Sequence, residues 1–223
     1  MLGEAVCEPC YSKINYFFYF QGGVIMELKS VVPEKITELE LNFMKTLNPG
    51  ITDDKTANFF SYIPVAEDTT GYEYDCCQSN VQKKISKDGG YPIIGWSIWK
   101  SQIFLEAEYH HVWSSSDGSE VIDITPKRDK EKYILFVIDP EQKDDGLPVC
   151  NKRQVLLDIP EVHKLKELFI KHAEIRRKTQ VPFTDYANFT PELTLEYNMV
   201  LKEMRETWEK INNFLDFSSS NEA

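Results

Sequence analysis

Apolar residues recur along this chain in two rhythms, and the change of rhythm divides it. Between residues 26 and 48 they fall at Ile36, Leu39, Leu41, Phe43, Met44 and Leu47. That spacing predicts a surface helix, opened by Pro33 and Glu34 and stopped by Asn48-Pro49-Gly50. Residues 51–74 are mixed, with 57–60 suited to a short helix and 62–65 to an extended segment. A second helix is expected over 77–86, with Val81 and Ile85 as its inward stripe and Asp88-Gly89-Gly90 as its end. The rhythm then changes to strands at 93–99, 104–113, 120–125 and 133–139, separated by turn residues, notably Asp117-Gly118. Pro160 starts a further helix whose inner face reads Val162, Leu165, Leu168, Phe169, Ala173 and Ile175. Pro191 starts another, with Leu195, Met199, Leu201, Met204, Trp208, Ile211 and Leu215 facing inward. One helix followed by several neighbouring strands implies an α+β fold, the 77–86 helix packing on an antiparallel sheet, with added N- and C-terminal helices.

The organisation that follows is an N-terminal extension over 1–25, an α+β core over 26–150, a helical part over 151–217 packed on that core, and a frayed polar tail at 218–223. The aromatic run at 16–20 is either a buried strand or sequence upstream of a second start at Met26. With 42% hydrophobic and 13% aromatic residues, the 223-residue chain can bury a sizeable core. Its formal net charge of -11 opposes a nucleic-acid partner. The one basic stretch, Lys127, Arg128, Lys130 and Lys132, alternates with acidic residues and reads as a solvated loop. No apolar run reaches the roughly 18 residues of a membrane span, so no membrane partner is expected. Five cysteines, an odd number without a secretion signal, point to free thiols in a reducing, cytoplasmic compartment. In that compartment the Asn188-Phe189-Thr190 tripeptide is a chance match to a glycosylation site.

Candidate chemistry concentrates in the core. A thiol nucleophile must ionise near neutral pH, and the positive end of a helix favours the thiolate. Cys77 stands where the second helix begins. A histidine must then take and return a proton, and a third group should orient the imidazole. His110 and His111 are neighbours in one strand and point to opposite faces. If Asp117-Gly118 is a two-residue turn, Ser116 pairs with Ser119 and Val112 with Asp123. His110 then shares the face of Asp123 and sits diagonal to it, whereas His111 shares a face with Ile122 and Ile124. The candidate set is Cys77, His110 and Asp123.

This ordered series resembles the papain-like and transglutaminase-like superfamily, in which a helix-borne cysteine meets a histidine and an acidic residue on adjacent strands. A more local likeness is to the protein N-terminal glutamine amidohydrolases. Cys77-Gln78-Ser79-Asn80-Val81 is similar to their Cys-x-x-Asn-[Ile/Val] helix start, Tyr109-His110 to their Tyr-His-Val strand, and Asp123 to their strand aspartate. The likeness covers residues 77–123 and departs in the gap from Cys77 to His110, which is shorter here, so substrate specificity is not carried over. The run from Gly95-Trp96 to Asp123 is also similar to bacterial and phage-type proteins of undefined function. The resemblance implies that the Cys77 thiolate attacks an amide or ester carbonyl of a peptide or protein, giving an acyl-enzyme that water hydrolyses or an amine intercepts. It implies no metal and no cofactor. The backbone N–H of Cys77 and one further donor would hold the oxyanion. Trp96, Trp99 and Trp113 are candidates for a cleft wall or for the core.

Two non-catalytic alternatives stand beside this reading. Cys7-Glu8-Pro9-Cys10 is half of a structural zinc site that Cys76 and Cys77 could complete in a zinc-stabilised interaction module. Alternatively, a catalytically inactive protein keeps the enzyme fold and uses its C-terminal helices, with Met199 and Met204, as a partner surface. The acyl donor, the acceptor and the oligomeric state stay open.

Overall fold

The computed structural model describes residues 29–52, 59–141, 143–144, 149–178 and 189–220. The N-terminal extension with its aromatic run, Cys7, Cys10, residues 57–58 of the short-helix reading, Asn188 and residues 221–223 lie outside them. Among the described residues the strands are β1 (Phe60–Pro64), β2 (Tyr91–Lys100), β3 (Phe104–Ser114), β4 (Val121–Ile122), β5 (Tyr133–Ile138) and β6 (Lys152–Val155). The helices are α1 (Glu38–Leu47), α2 (Cys77–Asp88), α3 (Pro160–Lys178) and α4 (Pro191–Ser220). The protein is a mixed α+β fold on one sheet ordered β1-β5-β2-β3-β4, with β6 also on β3, and every ladder is antiparallel.

β3 organises the sheet. β2 runs the length of one edge, while β4 takes the C-terminal end of the other edge and β6 the N-terminal end. The sheet then nearly closes on itself beyond β4. The Asp123 N–H donates to the Pro64 carbonyl at 2.9 Å, and the Ala66 N–H donates to the Asp123 carbonyl at 2.8 Å. Asp123 is thereby fixed by backbone bonds at the corner where β1 and β4 meet.

Three apolar clusters hold these layers. Phe43, Met44 and Leu47 of α1 pack with Trp96, Ile98, Leu105 and Leu135 of the sheet. Phe104 joins Leu165, Phe169, Met204, Trp208 and Ile211 between the sheet and the paired helices α3 and α4. Val81 of α2 packs with Trp113 and Ile124. Trp96, Trp99 and Trp113 are all buried, and their indole N–H groups donate to Asp139, Glu108 and the Gly89 carbonyl. They are core residues, each with its polar atom satisfied.

Several expectations need correction. α1 begins at Glu38, where Thr37 and Glu40 form a capping box that the Pro33-Glu34 start did not recognise. Upstream of it Val31 exchanges two backbone bonds with Lys100. Phe60 opens β1 instead of closing a helix, and β6 puts a sheet strand inside the part assigned to helices alone. α4 continues through Ser220, past the start of the expected frayed tail. Leu195 and Met199 are 63% and 64% exposed, because the inner face of α4 runs through Tyr197, Val200, Met204, Trp208 and Ile211. Tyr197 sets that phase, with its hydroxyl 2.9 Å from His172 Nε2 of α3. No described helix is long and apolar enough to cross a membrane.

Candidate functional site

Cys77 is the first residue of α2, with Cys76 at the N-cap. The first closing helical bond runs from the Asn80 N–H to the Cys76 carbonyl, so the N–H groups of Cys77, Gln78 and Ser79 precede it. No acidic residue stands in this first turn to neutralise the positive end of the helix. The turn is held from both sides. Asn80, fully buried, accepts from the Glu73 N–H at 2.9 Å and donates to the Glu73 carbonyl at 2.7 Å. Asp75 adopts a left-handed φ of 63°, which aspartate tolerates better than most residues, and its carboxylate meets the Arg128 guanidinium at 2.5 Å. Cys76, Cys77 and Cys150 are free thiols. Cys76 turns its sulfur toward Glu73 Oε2 at 3.7 Å.

The hairpin between β3 and β4 has the expected register, Trp113 opposite Ile122 and Ser114 opposite Val121. Its turn differs from the expected one. The last bond joins the Ser115 N–H to the Glu120 carbonyl, and the Gly118 N–H donates to the Ser115 carbonyl, leaving a four-residue loop with Gly118 at φ 72°. Two and four are both even, so the facing of side chains is unchanged. His110 Nε2 lies 3.0 Å from Asp123 Oδ2, and both side chains are fully buried. His110 Nδ1, also buried, has no hydrogen-bond partner among the described residues. The other Asp123 oxygen, Oδ1, accepts from the Thr125 N–H at 2.9 Å.

A lysine completes the group. Lys127 Nζ lies 2.6 Å from Asp123 Oδ2, the oxygen His110 also meets, and its side chain is 4% exposed. The solvated-loop reading of this basic stretch fails at Lys127. The four-residue spacing from Asp123 places the two side chains together inside the protein. Arg128, its neighbour, keeps a half-exposed side chain but binds Asp75. Consecutive residues thus tie down the acid on one side and the turn before Cys77 on the other. Glu108 was also missed. It lies two residues before His110 on the same face of β3, accepts from Trp99 Nε1 at 2.8 Å, and leaves Oε1 buried without a partner.

These neighbours set the charges. Burial opposes the His110 cation, but the Asp123 carboxylate outweighs it, and with the charge of Cys77 it lifts the imidazole to about 9. Lys127 works against that rise. Burial likewise opposes ionisation of Asp123, yet Lys127 and His110 hold its carboxyl far below the usual range. Lys127 is held above its ordinary value against burial, by Asp123, Glu108 and the charge of Cys77. Burial pushes Glu108 up to about 8. His111 lies on the opposite face, its Nε2 3.5 Å from Asp144 Oδ2, and burial drives it down to about 4. At neutral pH His110 is a cation and His111 is neutral.

A cavity of about 670 Å³ is lined by Gln78, Ser79, Gln82, Lys83, Ser86 and Lys87 on the outer side of α2, and includes neither Cys77 nor His110. It is a surface hollow of α2 separate from the buried polar cluster. Among the described residues no three His, Cys, Asp or Glu side chains converge as a metal site, and Cys7 and Cys10 lie outside those residues. Comparison with protein-family models, curated proteins and solved structures finds no match to this chain.

Proposed function

We propose that the protein is a cysteine-dependent amide hydrolase or acyltransferase of papain-like or transglutaminase-like design, with Cys77 as nucleophile, His110 as acid and base, and Asp123 as the orienting carboxylate. The observation that carries this reading is the fully buried His110–Asp123 pair at 3.0 Å, whose imidazole leaves Nδ1 without a hydrogen-bond partner and feels the charge of Cys77. A buried imidazole tied to a carboxylate through one nitrogen and open at the other is what proton exchange with a thiol requires.

The charge balance supports the same assignment. At neutral pH Asp123 is an anion and Lys127 a cation, and His110 adds a second cation. Glu108, titrating near 8, is mostly neutral there. One buried positive charge is left over, and the Cys77 charge that itself helps to raise His110 and Lys127 is the anion that would offset it. The thiolate would attack the carbonyl carbon of an amide, and the developing oxyanion would be met by the Cys77 N–H at the start of α2. The imidazolium would give its Nδ1 proton to the leaving amine as the C–N bond breaks. Neutral His110 would then draw a proton from water, or from an acceptor amine, as that nucleophile cleaves the thioester.

A second reading, a binding protein that keeps the enzyme fold without the activity, draws on the depth of the site. Cys77 is 3% exposed and His110 fully buried. Alkylation by iodoacetamide, a small probe, separates the two. The enzyme reading predicts that Cys77 reacts faster than Cys76 and Cys150, with a rate midpoint well below the value of about 8.5 for a free thiol. His110→Ala abolishes that advantage and His111→Ala largely retains it. Equal labelling of Cys76 and Cys77, indifferent to either histidine, overturns the enzyme reading in favour of the second.

A further inference from the structure

We propose that Lys127 is a positioning residue of the thiol site, holding Asp123 in place for His110 and supplying the buried cation that balances the acid. The inference rests on the function proposed for Cys77, His110 and Asp123 and extends it to a residue that their resemblance to known enzymes does not include.

The geometry is specific. Asp123 Oδ2 is shared by Lys127 Nζ at 2.6 Å and His110 Nε2 at 3.0 Å, and Oδ1 is taken by the Thr125 N–H at 2.9 Å. Both carboxylate oxygens are therefore engaged, and the carboxyl plane cannot rotate without breaking one of these contacts. A surface lysine gains little from such a pair, but here both side chains are out of water and the attraction is barely screened. An ammonium buried this deeply is retained only where anionic neighbours offset its desolvation. The groups acting on Lys127 are Asp123, Glu108 and Cys77, and those acting on His110 are Asp123, Lys127 and Cys77. Without Lys127, the Asp123 carboxylate would act on His110 alone.

The signs of the effects separate this role from simple packing. The Lys127 cation repels the imidazolium, so it lowers the His110 midpoint, and it attracts the thiolate, so it lowers the Cys77 midpoint. Replacing it with a neutral side chain raises both as long as Asp123 stays on His110, and loss of that contact would lower the His110 midpoint instead. A packing role predicts weaker structure with neither midpoint displaced.

The test uses Lys127→Met, which keeps the length of the stem, and Lys127→Gln, which keeps a donor for Asp123 but not the charge. Both are checked for folding by circular dichroism beside the unsubstituted chain. Two midpoints are measured in each: His110 by the NMR shift of its ring proton, and Cys77 by the pH dependence of iodoacetamide alkylation read by mass spectrometry. The expected result is an upward shift of both midpoints by roughly one unit, with Cys77 alkylation slowed about tenfold at pH values below its original midpoint. Lys127→Arg, which restores a cation, should return both midpoints toward their original values. An unchanged His110 midpoint in the folded neutral variants overturns the proposal, whatever Cys77 does. Slow, ordinary alkylation of Cys77 in the unsubstituted chain instead overturns the proposed enzyme function, so the two failures are distinct.

Discussion

Glu108 shows how far a single residue in this protein can depart from its ordinary chemistry. Its carboxyl is fully buried two positions from His110, with one oxygen on Trp99 and the other unpartnered, and burial raises it from 4.5 to about 8. A carboxyl whose folded-state value is raised binds a proton that the unfolded chain has already released. Its contribution to stability is complete below pH 4.5 and is lost as pH rises through about 8. Glu108→Gln removes that dependence. Thermal or denaturant unfolding followed from pH 5 to 8 should show the variant gaining on the unsubstituted chain by up to about 1.4 kcal/mol per pH unit, and the gain should level off above that window. Parallel stability curves across it would contradict a buried, neutral Glu108. None of this was legible in the sequence, where a glutamate in an alternating strand reads as a solvent-facing residue. Lys127 was misread for the same reason. Burial of a charge depends on which anions the fold brings to it, and no local pattern records that.

At the scale of elements, α2 and the β3–β4 hairpin were legible because local chemistry alone specifies them. The Val81–Ile85 stripe and the Gly89-Gly90 end define α2, and Gly89 adopts the positive φ of 74° that a helix stop of this kind favours. The hairpin register followed from placing the turn at Asp117-Gly118, and it survived a turn of a different type because both loops are centred between those two residues. The phase of α4 was not legible. Leu195 and Met199 fit an apolar stripe as well as Tyr197 and Val200 do, and the choice is made by the Tyr197–His172 contact with a helix distant in sequence. The resemblance carried Asn80 only as a motif letter, whereas its amide ties the Glu73 backbone to the first turn of α2. Asn80→Ala should therefore destabilise the protein by about 1–3 kcal/mol in chemical denaturation, the cost of leaving such groups unmatched. A loss within experimental error would show that water replaces the amide without cost.

For the whole molecule, the sheet determines where the chemistry can lie. β3 carries His110 and Glu108 on one face, β4 delivers Asp123, and the near-closure of the sheet locks the Asp123 backbone to both Pro64 and Ala66. The turn after β4 returns Lys127 and Arg128 to Asp123 and Asp75, so a single segment secures the acid and the entry to α2. The imidazole of β3 and the carboxylate that follows β4 meet at that closed corner, 13 residues apart in sequence. The proposed chemistry depends on the ionisation of one sulfur. Its most direct measurement is the ultraviolet absorbance of the thiolate, titrated with pH in the intact protein and corrected with Cys77→Ser. A thiolate lost in Cys77→Ser is expected to be present already at neutral pH, with a midpoint well below the value of about 8.5 for a free thiol. Absorbance that develops only at or above that value, equally with and without His110, would contradict it.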